Sequence, residues 1–249
     1  MARELSFMEH LGELRRRLVI CVIAVLAGSA ASFVFYEEII ELLSRPAYDL
    51  EGSQGIELVF IEITELLTTA VKVSFVAGFI LALPVILYQV IMFVAPGLTG
   101  RERRYLFLFL PMALVAFACG VAFCYFVLIP PALRFLLGFS DVAEPLIRIS
   151  NFVNLMVRLL FWMGVAFETP LIMYMLAQLG IVSARQLSRF RRVWVVLAFL
   201  LGAIITPTFD PVNQTLVAGP LLVLYELGVL LAKLAGRSRR GTETAVARQ

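Results

Sequence analysis

The fold class this sequence predicts is an all-α polytopic membrane protein with six transmembrane helices, both termini cytoplasmic and the fifth and sixth helices short. Three observations carry that expectation. Of the 249 residues 61% are hydrophobic and only 16% charged, whereas a soluble domain carries about a quarter charged residues. The apolar residues gather into runs of bilayer-spanning length, and such runs without period-two alternation read as helices, because a helix satisfies its own backbone groups in lipid. Sixteen of the 21 Lys and Arg residues fall in alternate connections, the bias that marks cytoplasmic loops.

The chain opens on residues 6–18, "SFMEHLGELRRRL". Ser6 and Glu9 have capping-box spacing, and Met8, Leu11, Leu14 and Leu18 form one apolar face suited to a membrane interface. Glu9, Glu13, Arg16 and Arg17 take the polar side, with Glu13–Arg17 at i,i+4. The first span is expected over 18–36. Arginines, an apolar run and "AGSAAS" resemble a cleaved signal peptide, but Glu4, Glu9 and Glu13 precede the arginines and the run continues through "FVFY", so the segment is kept as a transmembrane helix. Ala24, Gly28 and Ser32 make a small-residue face fit for helix packing.

The next connection, 37–65, holds eight acidic residues against Arg45, and the second span follows over 66–95. "PGLTGRERRY" at 96–105 turns the chain and sets Glu102 among Arg101, Arg103 and Arg104. A third span over 105–129 leads to a proline- and turn-rich stretch from Pro130 to Asn151. The fourth span, 152–179, contains Glu168 and Pro170, and Glu168 is the one charged residue between 159 and 181. A carboxylate at that depth costs a few kcal/mol on insertion scales, so it faces protein or water. Pro170 lacks an N–H and frees the carbonyl of Ala166, bending the helix. Together they predict a polar recess at bilayer depth.

The fifth span, 193–206, is only about 21 Å long at 1.5 Å per residue, short of a core of about 30 Å. The sixth, 215–231, follows the tight hairpin "TPTFDPVNQ". The whole of 1–249 reads as one transmembrane domain, with 232–249 a basic, disordered cytoplasmic tail. Glu226 in the last span is left between a structural and a partner-contact role. Cys21, Cys119 and Cys124 lie in apolar runs and read as small buried side chains.

Five stretches, taken in order, now carry a resemblance. "HLGELRRRL" (10–18), "LPVILYQVIMFVAPGL" (83–98), "RERRY" (101–105), "FETP" (167–170) and "TPTFDPVNQT" (206–215) resemble the twin-arginine translocase TatC family across nearly the whole chain, with a hairpin a residue longer than in some members. The resemblance implies a receptor and core subunit that binds signal peptides bearing paired arginines at its cytoplasmic face and exports folded proteins, driven by the proton-motive force. It places Glu13 and Glu102 where the family has the carboxylates that recognise the arginine pair, and Arg15, Phe93, Pro96, Arg103 and Arg104 in the same site. Pro46 matches a functional proline of the first outer loop. Thr206 and Gln214 match a polar cluster that meets a single-span partner, and Glu168 with Pro170 an intramembrane site for partner or signal-peptide helices. The implied partners are single-span Tat subunits of the TatA/TatB type, twin-arginine signal peptides, membrane lipid and further copies of the chain, in the plasma (inner) membrane of a prokaryote. No nucleic acid, cofactor or metal is expected.

Two other classes fit less well. An intramembrane enzyme would need a base within the spans, but His10 is the one histidine and precedes them, and neither G-x-S-x-G nor H-E-x-x-H occurs. A proton-coupled small-molecule transporter using Glu168 is the alternative function; against it, the two halves show no inverted repeat.

Overall fold

The structure is a computed structural model that describes residues 7–48, 58–95, 100–137, 147–206 and 210–246. Among these the elements run α1 (Phe7–Phe33), α2 (Tyr36–Tyr48), β1 (Leu58–Val59), α3 (Glu65–Val94), α4 (Gly100–Phe123), a π turn (Cys124–Leu128), α5 (Ile129–Leu137), β2 (Ile147–Arg148), α6 (Ile149–Phe167), α7 (Thr169–Gln178), α8 (Ala184–Ile205) and α9 (Pro211–Val246). Among the described residues five helical stretches are long and apolar enough to cross a membrane: Met8–Phe33, Glu65–Phe93, Phe107–Leu136, Ile149–Gln178 and Pro211–Gly236. This is a helical membrane protein that crosses more than once.

Several expectations are revised. The expected fifth span is α8, a helix of 22 residues that is not among the five, because Arg185, Arg189, Arg191 and Arg192 occupy its first turns. The sixth helix is not short: α9 has 36 residues. It runs on through 232–246, where a disordered tail is expected, since Ala, Leu and Arg are good helix formers with or without lipid around them. The acidic stretch after the first span holds α2, whose Ile40, Leu43 and Ala47 are buried at helical spacing while Glu37, Glu38 and Glu41 stay exposed. Pro130 opens no loop. Ile129 is the last N–H donor before Pro130 and Pro131 and bonds to the Cys124 carbonyl, one residue further back than in an α-helix; the chain passes both prolines through this widened turn and stays helical to Leu137. Of the three free cysteines only Cys124 is buried; Cys21 is half-buried and Cys119 exposed. Ser6, the expected cap, lies outside the described residues.

The chain packs as two compact units. One comprises Met1–Arg45, Leu58–Leu114 and Ile147–Val153, the other Pro46–Glu57, Val115–Leu146 and Asn154–Gln249. In the first, α1 packs along α3. The small-residue face does form part of that contact: a Cβ on Gly28 would lie 2.6 Å from the Gly78 carbonyl oxygen, and one on Gly78 would strike the Ser29 backbone. Gly78→Val is therefore expected to destabilise this unit by at least about 1–3 kcal/mol, as overpacking does; thermal unfolding in detergent measures it, and an unchanged midpoint would show that the helices can part freely.

The first unit also joins two connections that are distant in sequence. β1 and β2 pair in parallel, Leu58 with Ile147 and Val59 with Arg148. The Glu65 carboxylate, buried beside them, accepts hydrogen bonds from the backbone N–H of Ile61 at 2.9 Å and from the Ser150 hydroxyl at 2.5 Å. Arg148 reaches Glu62 at 2.9 Å and Glu65 at 3.4 Å. The hydrogen bond to Glu62, then the charge of Glu65, hold the Arg148 guanidinium above its ordinary pKa.

In the second unit α7 and α8 pack on α9. Met173, Tyr225 and Val229 form one buried cluster, with Leu187 and Trp194 against it. Ala177, Ala232 and Ala235 form another, with Tyr174, Ala184 and Leu187 alongside. Gly180, at φ 76°, ends α7, a conformation glycine reaches without the Cβ penalty. Ser183 and Gln186 then cap α8 reciprocally.

Candidate functional site

The first cluster forms where the opening turns of α1 meet the last turns of α3. His10, Glu13 and Arg17 share one face of α1 because they are spaced i,i+3,i+7, and Gln89 and Phe93 share one face of α3 at i,i+4. The His10 ring stacks on Phe93 with centroids 4.4 Å apart and planes at 17°. Arg17 Nε donates to Glu13 Oε1 at 3.0 Å, a second guanidinium nitrogen reaches the same oxygen, and the third donates to Gln89 Oε1 at 3.0 Å. His10 Nδ1 stands 3.8 Å from Glu13 Oε2. Glu13 and Arg17 are half-buried, whereas Arg15 and Arg16 are exposed.

The structure thus brings Glu13 and Phe93 together and leaves Arg15 outside the cluster. Pro96 lies outside the described residues. Glu102, Arg103 and Arg104 fall in the opening turns of α4, where an acidic residue is favoured by the helix dipole. Sequence reasoning passed over His10, Arg17 and Gln89 as parts of this site. The signal for the first two was present in their helical spacing with Glu13; Gln89 is found only once α1 is laid on α3.

A second cluster lies in the other unit, at the junction of α6 and α7. The helix breaks where Pro170 predicts it: Glu168 is the residue between the two helices, and Pro170 sits in the first turn of α7, the position that tolerates a missing N–H. On one side Phe167 packs against Phe123, centroids 5.5 Å apart, and crowds Gly120. On the other, Pro170 and Met173 lie against Gly228 of α9. Between these contacts Glu168 is 9% exposed, and neither carboxyl oxygen has a hydrogen-bond partner.

The α8–α9 hairpin supplies the third cluster. Asp210 caps α9 by accepting from the Asn213 N–H at 2.6 Å. Thr206, buried at the end of α8, donates to the Gly202 carbonyl at 2.8 Å. Gln214, half-buried one helix away, donates to the Phe199 carbonyl at 2.8 Å. Thr206 and Asn213 are the polar residues of an otherwise leucine-rich crevice that includes Leu128, Leu155, Leu159 and Leu216. Asn213 Oδ1 is buried there without a partner, a member of the cluster that the sequence did not disclose. At the other end of the hairpin Arg191 meets Glu226 at 2.7 Å, and Trp194 stacks on Tyr225 with centroids 4.8 Å apart. Glu226 therefore clasps α8 to α9. Pro46 lies inside α2, half-buried, and belongs to none of these clusters.

Among the described residues no group of three or more His, Cys, Asp or Glu could hold a metal ion. The chain's offer is two carboxylates in unlike settings, one ion-paired and half-exposed, one buried and unpaired, with a polar hairpin beside an apolar crevice.

Residues 9–220 match the family described as Sec-independent protein translocase protein (TatC). The chain is 39% identical over 240 residues to the Sec-independent protein translocase protein TatC of Aquifex aeolicus, covering 95% of this chain and 98% of that one. It is also 39% identical over 236 residues to the chloroplastic TATC of Arabidopsis thaliana, covering 94% of this chain and 68% of that one. A crystal structure described as the twin-arginine translocase receptor TatC superposes with a TM-score of 0.82 at 40% identity, covering 91% of this chain and 99% of that one. The matched region takes in His10, Glu13 and Arg17, Gln89 and Phe93, Glu168 with Pro170, and Thr206 to Gln214, and the chain belongs to the TatC family of Sec-independent protein translocase proteins.

Proposed function

We propose that this chain is the receptor and core subunit of a twin-arginine protein translocase, acting by binding and assembly rather than catalysis. Glu13 and Glu102 take the paired arginines of a signal peptide on a cytoplasmic face, with Phe93, Pro96, Arg15, Arg103 and Arg104 around them. Six spans, α8 providing the fifth, leave both termini on that side of a prokaryotic plasma membrane, which the placement of the basic residues supports. Single-span subunits of the TatA/TatB type and further copies of the chain assemble with it in the membrane.

The observation that carries this reading is the guanidinium already seated on Glu13. Arg17 sets its planar N–H donors on Glu13 beside the His10–Phe93 ring pair, and this supports the reading, because such donors are the chemistry a twin-arginine ligand brings. The test is site-specific crosslinking from positions 13 and 102 to a synthetic Arg-Arg signal peptide in membranes. Capture at both positions, lost when the peptide carries Lys-Lys, is the expected result; capture at neither overturns the reading.

Assembly is proposed to use the hairpin and the Glu168 junction. Replacing Thr206 and Gln214 together with apolar residues is expected to reduce, not abolish, crosslinking of a partner's span to the hairpin, because hydrogen bonds between membrane helices contribute only about 0.6–2 kcal/mol. Peptide binding at Glu13 should survive. A chain that co-purifies with no single-span protein and moves a small solute alone would favour the carrier reading instead.

A further inference from the structure

We propose that Arg17 is an internal occupant of the ligand carboxylate, so that an arginine-bearing ligand binds Glu13 only by displacing it; this rests on the reading of Glu13 as a ligand-binding residue. All three guanidinium nitrogens of Arg17 are in use. Two reach Glu13 Oε1 and the third holds Gln89 Oε1. Glu13 Oε2 stands 3.8 Å from His10 Nδ1. An incoming guanidinium that binds bidentately needs both carboxylate oxygens, and Oε1 already accepts two N–H groups. The side chains of Arg17 and Glu13 are 18% and 23% exposed, so water competes weakly for either.

The arrangement makes release feasible as well as necessary. Gln89 stands on α3, opposite Glu13, and keeps an acceptor on Arg17 after the carboxylate is surrendered. The displaced group stays within the cluster rather than entering an apolar site unpaired. Selectivity comes from the carboxylate itself, and the exchange sets only the overall affinity. A lysine ammonium is a compact charge that cannot reproduce a two-pronged fork, so it replaces Arg17 at a loss, whereas an arginine replaces like with like. Arg17 thereby lowers the affinity of every basic peptide that needs Glu13 Oε1, by one common factor.

The test is the affinity of the full chain in detergent for two synthetic signal peptides, one Arg-Arg and one Lys-Lys. An internal occupancy of about 90% reduces apparent affinity about tenfold, so R17Q is expected to bind the Arg-Arg peptide about five- to tenfold more tightly than R16Q. R16Q removes the same charge from an exposed neighbour and serves as the reference. The Lys-Lys peptide should gain by the same factor in R17Q, so that the preference for Arg-Arg is unchanged. R17K keeps the charge without the fork and should fall between; it also carries the test where R17Q fails to insert. Equal affinities of R17Q, R17K and R16Q, with E13Q still losing binding, would overturn the internal occupant and leave the receptor reading intact. Undiminished binding by E13Q would overturn both.

Discussion

Replacing Glu13 and Glu102 together with lysine is expected to abolish binding of an Arg-Arg signal peptide, by more than about a hundredfold, or about 2.7 kcal/mol. Each change removes an acceptor of charge-assisted hydrogen bonds and installs a like charge where the ligand's guanidinium would sit, and like-charge juxtaposition at an interface costs several kcal/mol. The loss at Glu13 is compounded within the protein. Arg17 and a new lysine would face each other across one helical turn, where Arg17 now binds the carboxylate. Membrane insertion should be unaffected, since acidic residues contribute little to topology. The measurement is peptide affinity alongside the membrane level of the variant. The neutral pair E13Q and E102Q separates lost attraction from added repulsion: it should weaken binding strongly without driving Arg17 away. Normal binding by the lysine double variant would remove both residues from the site.

The second large effect is expected at Glu168. The carboxyl group is held between Phe167, packed on Gly120, and Pro170, packed on Gly228, with neither oxygen partnered. Leaving a buried polar group unpaired costs about 1–3 kcal/mol, so replacing it with leucine should leave the fold as stable or more so. Transport or partner association should nevertheless fall, by about tenfold or more, if a polar group from another helix completes this site; a hydrogen bond of about 1–2 kcal/mol in the membrane is of that size. Glu168→Gln keeps a donor and an acceptor in the same volume and is expected to retain much of the activity. Gain of stability with loss of transport in the leucine variant, and neither in the glutamine variant, is the signature of a binding role. Full transport by Glu168→Leu would leave the residue without one.

The α6–α7 break shows what was legible in advance. A proline two residues after a lone carboxylate in an apolar run dictates both the helix break and the buried acid, because a missing N–H and the cost of a charge in lipid act locally whatever surrounds them. The same holds for the helical membrane class. Local rules misled where a neighbour decided the outcome. Pro130 and Pro131 stop no helix, since the turn from Cys124 to Leu128 widens to pass them. The acidic stretch after the first span hides α2, whose apolar face is buried although its net composition reads as a loop.

What the sequence by itself determined is therefore the set of local commitments: apolar lengths, charge placement, helix breaks, and the helical spacing that puts His10, Glu13 and Arg17 on one face. Only the tertiary structure decided which groups bind which. Gln89 lies 72 residues from Arg17 in the chain, Ser150 lies 85 from Glu65 and Glu226 lies 35 from Arg191. Helical periodicity fixes the face a side chain occupies but carries no information about the helix laid against it. That choice is made by close packing, as at Gly28 and Gly78, where only the absence of side chains lets α1 and α3 approach near enough for Gln89 to reach Arg17 and for Arg17 to be held on Glu13.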